Sequence, residues 1–161
     1  MPVKRMIAVL TVVCLLTLTS FAQKKAHKAA SSGEGTGVTK DYLQKIWNGW
    51  AALDPANQAQ YYAKGPHTFF DIAPLKYNSW EEYQAGVAKV LGDYKAAKFV
   101  VNDDALIHSA GDIQWVTATV ASDMTTKAGK RDMGTFRWTA IFQKQQGKWL
   151  IIHEHVSAPV Q

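Results

Sequence analysis

The run RDMGTFRWTAIFQKQQGKWLIIHEHVS, residues 131–157, decides the fold. Two stretches rich in β-branched and aromatic residues, Arg131–Lys144 and Lys148–Ser157, flank Gln145-Gln146-Gly147. That pattern reads as two antiparallel strands joined by a tight turn. Working back, Ile113–Met124 and Lys98–His108 have the same character, set apart by Lys127–Lys130 and Ala110-Gly111-Asp112. His67–Ile72 reads as a further strand, with Pro74–Tyr77 as its short partner. Upstream the period changes to that of a helix. Thr39 can cap it, and Tyr42, Ile46, Trp50 and Leu53 recur on one face before Asp54-Pro55 closes it. A second, short helix is expected over Asn57–Ala63. A third begins at Ser79, where Glu82 completes a capping box ahead of Tyr83, Val87, Val90 and Leu91. Helices first and a long meander after them predict an α+β fold: about three N-terminal helices packed on a strongly curved antiparallel sheet. Helices on one side of a curling sheet leave a concavity, the natural place for a ligand.

The N-terminus reads as an address. Lys4 and Arg5 precede an almost wholly apolar run, Met6–Leu18, and Ser20-Phe21-Ala22 supplies the small residues of a cleavage site. This is the pattern of a secretory signal peptide over 1–22, and the run is short of the roughly 20 apolar residues of a spanning helix. The expectation is a secreted or periplasmic protein with no membrane attachment after cleavage. Residues 23–37 (QKKAHKAASSGEGTG) read as a disordered linker, and 38–161 as one domain. The single cysteine, Cys14, lies in the leader, so disulfides, thiol nucleophiles and cysteine-based zinc sites are not expected of the mature chain. The net charge of +5 belongs to the N-terminal segments. From Val38 onward 13 basic residues stand against 12 acidic ones, which removes the case for nucleic acid as a partner.

Alternation along the strands groups the side chains by face. Trp149, Ile151, His153, His155 and Ser157 fall on one face of the last strand; Leu150, Ile152, Glu154 and Val156 fall on the other. In the strand before it, Arg137 and Thr139 share a face, and Trp138 and Phe142 share the opposite one. A face mixing Arg, Thr, His and Ser suits a ligand cavity, whereas Trp138, Phe142, Ile152 and Val156 suggest an apolar outer face able to pair two copies. His153 and His155 could form a metal pair, act as acid and base, or simply be hydrogen-bonded. No spacing supplies a third ligand, so no metal and no cofactor is expected. Arg137 would pair with Asp71 or Asp123, or meet an anionic group. Tyr61, Tyr62, Trp80 and Trp115 are either core or part of the ligand box. A tyrosine hydroxyl in an apolar pocket could also stabilise a developing oxyanion.

Arg137-x-Thr139, followed by Gly147-Lys148-Trp149-Leu150-Ile151-Ile152-His153-Glu154-His155-Val156-Ser157-Ala158-Pro159, resembles the end of SnoaL-like domains of the nuclear transport factor 2-like superfamily. Phe70-Asp71 and Trp80-Glu81-Glu82-Tyr83 resemble the same group, so the likeness spans Val38–Pro159. It implies a cone-shaped α+β fold enclosing a pocket, often dimeric through the sheet's outer face. Its members include polyketide cyclases, ketosteroid isomerase-like enzymes, dehydratases, transport factors and the association domain of calcium/calmodulin-dependent kinase II. Ketosteroid isomerases place an Asp base near a Pro, as Asp71 lies near Pro74. Tyr42 matches their first-helix tyrosine loosely, and Ile107, Trp115 and Thr117 offer no acid for their second oxyanion donor. SnoaL-type cyclases use an Asp with a His, which Asp71 with His153 or His155 could supply.

Two functions follow as expectations. One is a pocket protein binding a small, partly apolar ligand through Tyr61, Tyr62, Trp80, Trp115, Arg137, Thr139 and Ser157. The other is a cofactor-independent isomerase, cyclase or lyase in which Asp71 or His153 removes a proton. A homodimer through the outer sheet face fits either.

Overall fold

The structure, a computed structural model, describes residues 37–72 and 74–159. The expected leader and all but the last residue of the expected linker lie outside the described residues. The elements are α1 (Lys40–Ala51), a 3-10 turn (Pro55–Gln58), β1 (Phe69–Phe70), α2 (Trp80–Leu91), β2 (Tyr94–Val101), β3 (Leu106–Ala110), β4 (Ile113–Thr126), β5 (Arg131–Gln145) and β6 (Lys148–Ser157). The six strands form one sheet in the order β1-β6-β5-β4-β2, with β3 also pairing to β4.

Both helices start as their sequences dictate. Thr39 Oγ1 accepts from Tyr42 N–H at 3.2 Å, and α1 buries Leu43, Ile46, Trp47 and Trp50. Ser79 Oγ accepts from Glu82 N–H at 3.2 Å, while the Glu82 carboxylate accepts from Asn78 N–H at 2.8 Å. Such reciprocal capping holds orphan donors that the first turn cannot satisfy itself. The β5–β6 loop is the two residues Gln146 and Gly147, with φ of 50° and 81°, the left-handed pair that a tight hairpin requires.

Four expectations need correction. There are two α-helices and not three. The segment expected as a helix over Asn57–Ala63 instead makes a 3-10 turn and then an extended strap. Ala63 N–H donates to Ile151 C=O at 2.9 Å and Ile151 N–H to Tyr61 C=O at 2.7 Å. The edge of β6 needs those partners, and this demand overrides a weak helical propensity. The sheet is mixed, because β1 runs parallel to β6, with Phe69 opposite Glu154 and Phe70 opposite His155. Pro74–Tyr77 forms no strand; Tyr77 makes a single bridge to Phe69. Finally, Lys98–His108 is two strands, because Asn102, Asp103 and Asp104 interrupt the ladder before β3.

A bulge in β6 decides what faces inward. Ile141 is opposite His153, and the next residue of β5, Phe142, is opposite Ile151. Ile152 is therefore the extra residue, and the alternation slips by one across it. Ile151, Glu154 and Val156 are all buried on the helix side, with Trp138, Ala140 and Phe142 of β5. The core lies between this face and the two helices.

Candidate functional site

The one acid of β6, Glu154, faces the interior, opposite Ala140 of β5. Glu154 is 1% exposed and accepts three hydrogen bonds: from Tyr83 Oη at 2.6 Å, from Tyr62 Oη at 2.9 Å and from Trp138 Nε1 at 2.9 Å. Tyr62 comes from the strap, Tyr83 from α2 and Trp138 from β5. Aromatic rings enclose the group: Tyr62 stacks on Trp80 at 4.4 Å, and Phe69 on Tyr83 at 5.4 Å. Burial raises the Glu154 pKa to about 7. The three hydrogen bonds oppose that rise and the negative charge of Asp71 adds to it. Tyr62 and Tyr83 are held well above the ordinary tyrosine range, first by burial and then by the Glu154 charge.

Asp71 follows β1, where Phe69 is buried in the core and the Phe70 ring lies against His153 and His155. By alternation Asp71 returns to the inner side. It accepts from Ile72 N–H at 2.7 Å and from the Tyr83 hydroxyl. Burial raises its pKa, and these two hydrogen bonds pull it partly back. Tyr83 has a single proton and two carboxylates to serve, so Asp71, Tyr83 and Glu154 form a chain along which a proton can be held at either end.

Asp71 also stands on the wall of a cavity of about 1040 Å³ between α1, α2 and the β2–β4–β5 part of the sheet. The remaining wall is largely apolar: Trp47 and Trp50 from α1, Val87 and Leu91 from α2, Phe99 and Phe136 from the sheet. Ile72, Val90 and Met133, 56%, 51% and 68% exposed, belong to the same lining, so the cavity has an apolar rim open to solvent. Gly134 leaves room on the β5 side: a Cβ there would meet only Ser122 Oγ, at an ordinary 3.5 Å.

Of the residues singled out in the sequence, Asp71 alone lines this cavity. Tyr62 and Trp80 are buried in the core behind it, and Tyr61 packs edge-on against Tyr42 at 5.7 Å. Trp115, Arg137, Thr139, His155 and Ser157 lie on the sheet face turned away from the helices. There His108 stacks on Trp115 at 5.1 Å, and Arg137 and Thr139 border a shallow recess with Asp104. His153 is held on the same side, its Nδ1 2.8 Å from Thr68 C=O. The sequence reading had the two faces reversed, because it gave the cavity to the face richer in polar residues; the slip at Ile152 misplaced only the residues before it, bringing Ile151 to the side of Glu154 and Val156. Asp71 is consequently not brought together with either histidine in the cavity. Asp123, expected as a partner for Arg137, is instead engaged by Arg131, with Nε at 2.7 Å and Nη2 at 2.6 Å. Trp138, Phe142 and Val156, taken from the sequence as an outer apolar face, are core. The missed residues are Glu154 and Tyr83. One signal was available: Glu154 was the only acid on an otherwise apolar strand face. Among the described residues no group of three or more His, Cys, Asp or Glu is placed to hold a metal ion.

The model of the SnoaL-like domain matches residues 40–161. No curated protein matches the chain. Solved structures share the fold at low identity. A nuclear transport factor 2-like superfamily protein of Salmonella enterica superposes with a TM-score of 0.66 at 17% identity, over 76% of this chain and 92% of its own. A candidate calcium/calmodulin-dependent protein kinase II association domain from Xanthomonas campestris gives 0.65 at 24% identity, over 74% and 84%. A candidate dehydratase of the NTF2-like family from Streptomyces avermitilis gives 0.65 at 12% identity, over 76% and 95%.

Proposed function

The chain belongs to the SnoaL-like domain family, and on that premise we propose that it is a secreted or periplasmic protein whose cavity binds a small, largely apolar molecule. The observation that carries this reading is the cavity itself. Its volume, about 1040 Å³, is at the upper end of ligand sites, and its walls are aromatic and aliphatic with few polar groups. Binding there removes apolar surface from water at roughly 25 cal/mol for each Å², so an aliphatic or ring-bearing ligand is favoured without any special contact. A titration with the neutral apolar fluorophore N-phenyl-1-naphthylamine tests it. The expected result is saturable binding at one site per chain with a blue-shifted emission, abolished by Gly134→Phe, which fills the cavity from a strand position that accepts a side chain. Unsaturable binding, or binding untouched by that substitution, would count against the reading.

A second reading has its own observation, the chain from Asp71 through Tyr83 to Glu154. A carboxylate with a raised pKa on the wall of an apolar cavity is suited to take a proton from carbon next to a carbonyl, and a second carboxylate behind it can hold the proton. The NTF2-like relative from Streptomyces avermitilis carries a dehydratase name, which is of the same chemical kind. The base in this reading is Asp71 alone, without His153 or His155. Exchange of the α-protons of ketone probes in D2O, followed by proton NMR, is the measurement. Asp71→Asn is expected to stop exchange while probe binding persists; exchange that continues in this variant excludes Asp71 as the base.

A homodimer remains a proposal on new grounds. The helix-free face carries Leu106, 59% exposed, and Trp115, 38% exposed. Sedimentation of the wild type and of Trp115→Lys is expected to give a dimer and a monomer respectively.

A further inference from the structure

Among the described residues, the charges that face the cavity are all of one sign. Its titratable lining residues other than tyrosine are Asp71 and Asp132, and no lysine, arginine or histidine is among the residues that line it. The two carboxylates differ. Asp132 has a counter-charge, Lys130 Nζ at 3.0 Å, and accepts from the Tyr94 hydroxyl at 3.3 Å. Asp71 has only neutral donors, the Ile72 N–H and the Tyr83 hydroxyl, and none of the ion pairs among the described residues involves it. The nearest further ionisable group behind Tyr83 is Glu154, another acid, with no cation paired to it among the described residues.

From this geometry we propose that the cavity takes a lipophilic organic cation, with its apolar body between the helices and the sheet and its positive head at Asp71. This rests on the reading of the cavity as a ligand site. A half-buried carboxylate with a second carboxylate behind it and no cation beside it lacks the partner that burial ordinarily demands. An ammonium head supplies that partner. An anionic ligand would bring a third negative group into the same poorly solvated space, and a neutral one would leave the charge of Asp71 unanswered. The walls favour the same choice. Tyr83, whose hydroxyl bonds Asp71, is in the lining, and Trp47, Trp50, Phe99 and Phe136 continue it, so a cation entering meets ring surfaces as well as the carboxylate. The apolar rim formed by Ile72, Val90 and Met133 receives the tail.

Three probes of equal length separate charge from apolarity: octylammonium, octanol and octanoate, titrated calorimetrically into the purified protein at about pH 8. The expected order is octylammonium tightest by about tenfold or more over octanol, with octanoate weakest. Asp71→Asn, checked for folding by circular dichroism, is expected to bring octylammonium to within about twofold of octanol and leave octanol binding intact; Asp132→Asn is expected to keep the wild-type order. Octanol binding as tightly as octylammonium, octanoate binding tightest, or an order unmoved by Asp71→Asn would overturn the charge preference. In those cases the cavity reading stands if Gly134→Phe blocks the binding. Binding of none of the three overturns the cavity reading, and this inference with it.

Discussion

Burying Glu154 among Tyr62, Tyr83 and Trp138 gives the carboxylate three donors and, among the described residues, no cation, and that imbalance fixes how the fold responds to pH. Burial raises its pKa from the ordinary 4.5 to about 7, so the folded chain holds a proton that the unfolded chain releases across that interval. Stability is then fully present below about pH 4.5 and is lost as pH rises toward 7 and beyond. Asp71, also raised by burial, acts in the same direction. Glu154→Gln keeps a carbonyl for Tyr62 and Trp138 and offers its amide to the Tyr83 oxygen. It is therefore expected to match the wild type near pH 5 and to exceed it near pH 8 by on the order of 3 kcal/mol at most. Thermal unfolding of both proteins at the two pH values checks this; equal pH dependence in both would mean that Glu154 does not carry the effect. Gly86 is a second point of contact. A Cβ there would run into the Tyr77 ring, so Gly86→Ala is expected to lower the denaturant midpoint despite its better helix propensity. Asp71 was a candidate through the family resemblance, as an acid near Pro74, and as a partner for Arg137; the structure places it on the cavity wall. Glu154 escaped notice because His153 and His155 on either side drew the chemistry to themselves.

Elements were legible wherever their signals are local. The caps at Thr39 and Ser79, the α1 and α2 faces and the Gln146-Gly147 hairpin all follow from neighbours within four residues. Ser79→Ala is expected to cost about 1 kcal/mol, read as a shift in chemical-denaturation midpoint. The strap at Tyr61–Ala63 and the parallel β1 were not legible, because each exists to satisfy the edge of β6, some 85 residues further along the chain. The bulge was not legible either. Nothing in Leu150–Glu154 distinguishes a strand with one extra residue from one without. Yet that residue selects which half of β6 meets the helices. Deleting Ile152 is expected to turn Glu154 and Val156 outward, or to break the pairing with β5, and so to abolish cooperative unfolding. A folded deletion variant with wild-type stability would show that the bulge does not set the facing.

At the scale of the molecule, two α-helices on a curved, mixed six-stranded sheet make the nuclear transport factor 2-like architecture, and the family match agrees with it. The order of helices before a long meander was enough to anticipate that class. The cavity was anticipated too, but its lining was not: with the faces reversed, the sequence pointed to Arg137, Thr139 and the histidines, and the structure lines the cavity with Trp47, Trp50, Val87, Phe136 and Asp71. The same reversal moved the expected dimer face from core residues to Leu106 and Trp115. The proposed function therefore turns on whether a small molecule fills the space between the helices and the sheet. Native mass spectrometry of protein purified gently from the cell fraction in which it accumulates tests this most directly. The account predicts a discrete extra mass, one small molecule per chain, that is lost in Gly134→Phe. A wild-type chain that carries no extra mass, and takes none up when the fraction's small-molecule extract is added back, would contradict it.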